Sequence, residues 1–163
     1  MRFIAAIVVM ACAAMFLPSS ARAQRAVVSR VPFKAVIIEA SGTTGKDEVD
    51  DKLKDLKDAL LAATKFKKFK LVETKSYSPP PNTQVNIPLP HGYTCVLVTQ
   101  VAKVKGQDGR ERIVMGLRVQ VIHSSNKKKP VLQCEVVLKS GKPNFVEVPV
   151  AADKSIVLCF IGG

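Results

Sequence analysis

Apolar side chains recur with a period of two along residues 112–123, where Ile113, Met115, Leu117, Val119 and Val121 share one face against Arg112, Arg118 and Gln120. That alternation marks a half-buried strand. Residues 93–105 are equally rich in β-branched side chains, and Gly106-Gln-Asp-Gly109 supplies a turn, so the pattern predicts a hairpin across residues 93–123. On its first arm Cys95 shares parity with Lys103 and Lys105, which puts Val96, Val98, Ala102 and Val104 on the expected core side.

Further strands are predicted over residues 33–40, 69–77, 84–87, 131–139, 145–150 and 155–161. The last is apolar on both faces and belongs in mid-sheet beside the first. One segment changes period. Val49, Leu53, Leu56, Leu60 and Ala63 recur at spacings of four and three, with Asp47, Asp50, Asp51, Lys54, Lys57 and Asp58 on the wet side. This predicts an amphipathic helix over residues 47–64. Thr44 is its expected cap with Asp47 in the first turn, Lys65, Lys67 and Lys68 suit its other end, and Glu48–Lys52 and Asp50–Lys54 are its i,i+4 pairs. The expected fold class is α+β: one amphipathic helix packed on a mainly antiparallel sheet of about seven to eight strands, either curled or split into a sandwich.

Residues 1–23 stand apart from this pattern. Arg2 precedes an apolar run over residues 3–17, and Ala21-Arg-Ala23 makes a small-residue exit. This predicts a secretory signal peptide cleaved after Ala23, leaving residues 24–163 as one domain. The run is shorter than the roughly 20 residues a membrane span needs, so no transmembrane segment is expected after cleavage. Val9-Met-Ala-Cys12 loosely resembles a lipobox, but the apolar run continues past the cysteine to Leu17. The expected location is the periplasm or the extracellular space of a bacterium.

Losing Arg2 and Arg22 lowers the net charge from +12 to +10. Residues 24–64 carry seven basic and seven acidic side chains, whereas residues 65–163 carry sixteen and six, so the β-rich part holds the whole excess. A basic surface favours anionic partners, and export makes nucleic acid the least available of them. Lys65, Lys67, Lys68 and Lys70 alternate with Phe66 and Phe69, a pattern suited to an anionic membrane surface or to stacked bases, which Lys127, Lys128 and Lys129 would extend if they lie nearby. The competing reading places both rings in the core and leaves the lysines as a solvated face.

Candidate chemistry is sparse. Residues 40–47, Ala-Ser-Gly-Thr-Thr-Gly-Lys-Asp, resemble a phosphate-binding loop over those eight positions alone. Ala40 replaces the first glycine, and Asp47 stands where a magnesium-binding hydroxyl belongs. His91 and His123 are the only histidines, and neither has metal-ligand spacing, so no metal or cofactor is expected. His91 and Cys95 together form the one arrangement that suits a small secreted cysteine/histidine enzyme. Cys95, Cys134 and Cys159 survive cleavage. Strand parity turns Cys134 inward and Cys95 to the opposite side, so the two are expected to stay unbridged and to act as small apolar residues. The leading functional expectation is an exported, non-catalytic domain of the cell envelope that binds a protein partner or an anionic polymer or lipid surface.

Overall fold

The computed structural model describes residues 28–105, 109–126 and 129–163. The expected signal peptide, residues 106–108 of the expected glycine turn, and Lys127 and Lys128 therefore lie outside the described residues. In chain order the strands are β1 (Phe33–Ser41), β2 (Glu48–Val49), β3 (Lys68–Tyr77), β4 (Gln84–Pro88), β5 (Tyr93–Lys105), β6 (Glu111–His123), β7 (Leu132–Leu138), β8 (Pro143–Ala151) and β9 (Lys154–Gly162). A 3₁₀ stretch, Asp51–Leu56, runs directly into the short helix α1 (Lys57–Ala63).

These strands form two sheets, β2-β3-β1-β9-β8 and β4-β5-β6-β7, where the pattern left one curled sheet and a division into two both open. All pairings are antiparallel except that of two-residue β2 with β3. The 93–123 hairpin is present, and β9 sits in mid-sheet beside β1 as its apolar composition demanded. Both strands are buried on their two faces. Phe33, Ala35, Ile37, Ile156, Leu158 and Phe160 join a core that also takes Ile87, Leu97, Leu117, Val119 and Val121 from the four-stranded sheet. On the other face, Val36, Ile38, Ala40, Val157 and Cys159 meet Leu53, Leu60, Phe66 and Phe69 in a second cluster. The apolar stripe of the helical segment thus covers the five-stranded sheet, as its spacing predicted.

Two local expectations are corrected. The helix does not begin at residue 47, because Glu48 and Val49 instead extend alongside Lys68 and Phe69, held by Glu48 N–H to Lys67 C=O at 2.8 Å and Asp50 N–H to Phe69 C=O at 2.9 Å. Asp50, not Thr44, caps the 3₁₀ stretch, its Oδ1 accepting from Lys52 N–H at 3.0 Å. The carboxylate that pattern alone placed on a helical face is better used at the start of the first turn, where it satisfies an N–H without a helical partner.

The second correction concerns strand parity. Cys95 pairs with Val121, Leu97 with Val119 and Thr99 with Leu117, so odd positions of β5 face the core. Cross-strand partners share a face, and the buried odd residues of β6 therefore impose their parity on β5. Lys103 and Lys105 belong to that same face but lie past the end of the core. Cys134, opposite Val119, is on the inner face as expected, and Cys95 joins it there. The two flank β6 two strand spacings apart, about 10 Å, beyond disulfide reach. The described cysteines are free.

Candidate binding surfaces

The lysine cluster at 65–70 is built at the junction of α1 with β3. Phe66 and Phe69 point into the second core and are 1% and 3% exposed, so the rings are structural. The lysines around them meet acids carried by the segment before the 3₁₀ stretch. Lys67 Nζ lies 3.2 Å from Asp47 Oδ1, and Lys68 Nζ lies 2.9 Å from Glu48 Oε1. Lys70 stands opposite Glu39 in register, and Lys65 Nζ rests 5.6 Å from the Phe66 ring centroid. Asp50 is held below the usual carboxylate range chiefly by the Lys52 N–H, with the Lys52 and Lys70 charges helping. A depression of about 620 Å³ here is lined by Glu39, Asp47, Glu48, Asp50, Lys68 and Lys70, among others. Its charge is mixed rather than uniformly basic. Exposed Lys129 follows β6 at this same end of the molecule, where His91 reaches Glu39.

His91 and Cys95 part company. His91 occupies a left-handed backbone conformation (φ 59°) and points outward, its Nε2 3.3 Å from Glu39 Oε1. Cys95 points inward, and burial pushes its thiol up to about 12. A thiol held protonated in an apolar core is a poor nucleophile. His123 completes a local network: Nε2 lies 3.2 Å from the His91 C=O, while Nδ1 faces Ser125 Oγ at 2.6 Å and Ser125 N–H at 3.3 Å. A proton on Nε2 satisfies all three contacts. Gly92 lets the chain pass close here, since a Cβ on it would meet Ser124 Oγ at 2.9 Å. Among the described residues no group of three His, Cys, Asp or Glu side chains is placed to hold a metal. Residues 40–47 lead from β1 into β2 rather than into a helix, and Asp47 is engaged by Lys67.

The four-stranded sheet offers a different kind of surface. Its face turned away from the core carries Val96, Val98, Val114, Ile122 and Val137 among Gln84, Gln100, Gln120 and Gln133, with Arg118 paired to Glu135 at 3.3 Å. Val137 is 50% exposed. Among the described residues no helix covers this face, whereas α1 covers the opposite outer face of the five-stranded sheet. β5 and β6 run 13 residues each, but β4 has 5 and β7 has 7. The hairpin therefore outruns its neighbours, and residues 101–105 and 111–114 form a two-stranded ribbon with Val104 and Ile113 exposed.

No family model, curated protein or solved structure matches this chain. Its geometry must therefore carry the functional reading. The ribbon was not singled out from sequence, although its signal is present in the unequal lengths of the alternating runs. Nor was the open sheet face, because the wrong parity of β5 assigned Val96 and Val98 to the core.

Proposed function

We propose that residues 24–163 form an exported, non-catalytic envelope domain, two sheet layers roofed on one side by α1, that acts by binding a protein partner across the open face of the four-stranded sheet. The carrying observation is the asymmetry of the two outer faces: α1 roofs one, and the other presents outward valines that no helix covers among the described residues. Outward valines interspersed with glutamine and a paired arginine make a mixed surface of the kind that suits association with another protein. The anionic-surface alternative through Lys65, Lys67, Lys68, Lys70 and Lys127–Lys129 is less well supported, because Lys67 and Lys68 already face carboxylates. The cysteine/histidine enzyme is less well supported still, given the inward, protonated Cys95. Among the described residues no helix is long and apolar enough to cross a membrane.

The test is affinity capture from the native envelope fraction by the tagged mature chain, comparing wild type with Val104→Lys/Val137→Lys. Both positions are about half exposed, so the fold should persist. A partner retained by wild type at high salt and lost by the variant supports the reading. Equal capture by both, or capture that only salt abolishes, refutes it.

A further inference from the structure

The ribbon's β5 edge carries information about partner chemistry. Thr99 is the last β5 residue on the β4 track: its N–H reaches Thr83 C=O at 3.1 Å, and its C=O accepts from Asn82 N–H at 2.8 Å. Beyond it the track is empty among the described residues, because residues 79–81 are all proline and cannot continue a ladder. Thr99 Oγ1 donates to Pro80 C=O at 2.8 Å and fixes the point of departure. In an antiparallel strand, backbone groups on one edge repeat every second residue. The N–H and C=O groups of Val101, Lys103 and Lys105 therefore aim at the vacated edge, while the intervening residues bond to β6.

The side chains of those same residues share one face. Lys103 and Lys105 stand about 7 Å apart there, both exposed. Glu111 is opposite Lys105 in register, but its carboxylate lies 3.7 Å from the Lys103 ammonium, and it is the one acid on this stretch of the ribbon among the described residues. Open backbone edge and alternating charge specify the same ligand. We infer that the β5 edge over Val101–Lys105 accepts an extended acidic polypeptide as an added antiparallel strand, with carboxylates on every second residue answering Lys103 and Lys105. A second copy is disfavoured as the occupant, since antiparallel pairing of two such edges sets lysine against lysine. Basic residues on an edge also deter indiscriminate strand pairing, which makes the site selective for acidic strands. This inference rests on the protein-binding reading above and names the partner's chemistry.

The probe is a fluorescein-labelled peptide alternating glutamate with valine, followed by anisotropy with the mature chain. Saturable binding is expected, to be lost when alternate backbone amides of the peptide are N-methylated. Lys103→Glu/Lys105→Glu should weaken it by about tenfold or more and create affinity for the matching lysine–valine peptide. Both side chains project from the ribbon, and circular dichroism checks that the variant remains folded. Unchanged affinity on N-methylation, equal binding of inorganic polyphosphate, or dimerisation of the chain through this edge would each overturn the inference. If the peptide fails while Val104→Lys/Val137→Lys still abolishes envelope capture, the strand-addition site falls and the sheet-face reading stands.

Discussion

Cys95 and Cys159 sit in different cores, and burial raises each thiol from its ordinary value of 9.0 to about 12; for Cys95 the nearby Cys134 adds to this, and for Cys159 Lys34 opposes it. The folded state therefore holds a proton that the unfolded chain releases above pH 9. Their contribution to stability is fully present below that pH and is lost as pH rises toward 12. Denaturant midpoints measured through this window should decline, and a Cys95→Ala/Cys159→Ala chain, weaker at neutral pH from lost packing, should decline less steeply. In native protein a thiol reagent should modify Cys134 first, with the other two reacting only on unfolding. Simultaneous labelling of all three would contradict their placement. Residue-level reading from sequence succeeded for β6, β7 and β9 and failed for β5 for a definable reason. Lys103 and Lys105 look like markers of a wet face, but they lie where the hairpin has left the core, so both of its faces are wet. Only the pairing partner, Val121 opposite Cys95, reveals the inward side.

At the scale of elements, the segment from Asp51 to Ala63 is held by few contacts. Leu53 and Leu60 are its buried residues, seated on Val36, Ile38 and Ala40 with the phenylalanines of the following turn. A run of 3₁₀ and a single two-turn helix has little stability of its own, so tertiary packing maintains it. Leu60→Ala should therefore cost about 2–5 kcal/mol by denaturant unfolding, and helical circular dichroism should fall with it. A loss below about 1 kcal/mol would mean that the stripe does not anchor the roof. The stripe itself was legible, because leucines at helical spacing fit no strand. The boundary was not: Glu48 and Val49 fit a helical wheel as well as a strand, and the choice is made by the open edge of β3 at Lys68 and Phe69. Sequence periodicity contains no term for a distant strand in need of a partner.

For the molecule as a whole, the basic excess and the open sheet face lie in the same β-rich half. Export is an expectation of the N-terminal pattern, and N-terminal sequencing of the protein recovered from its native host should begin at Gln24. An intact Met1 or a lipid on Cys12 would refute cleavage after Ala23. The division into two sheets was anticipated only as one alternative to curling, since alternation specifies which residues face inward and leaves open which strands lie together. The prolines at 79–81 are where the chain leaves the first sheet for the second, and the same break leaves the β5 edge open. One structural accommodation thus creates the feature proposed for recognition. The most direct measurement is site-resolved photo-crosslinking in the native envelope, with a photoreactive residue placed in turn at Val104, Val137, Asp55 and Asp58. A discrete protein adduct is expected from the first two positions, on the open face, and none from the two on the helical roof. Adducts from Asp55 or Asp58 alone would contradict binding through the open face.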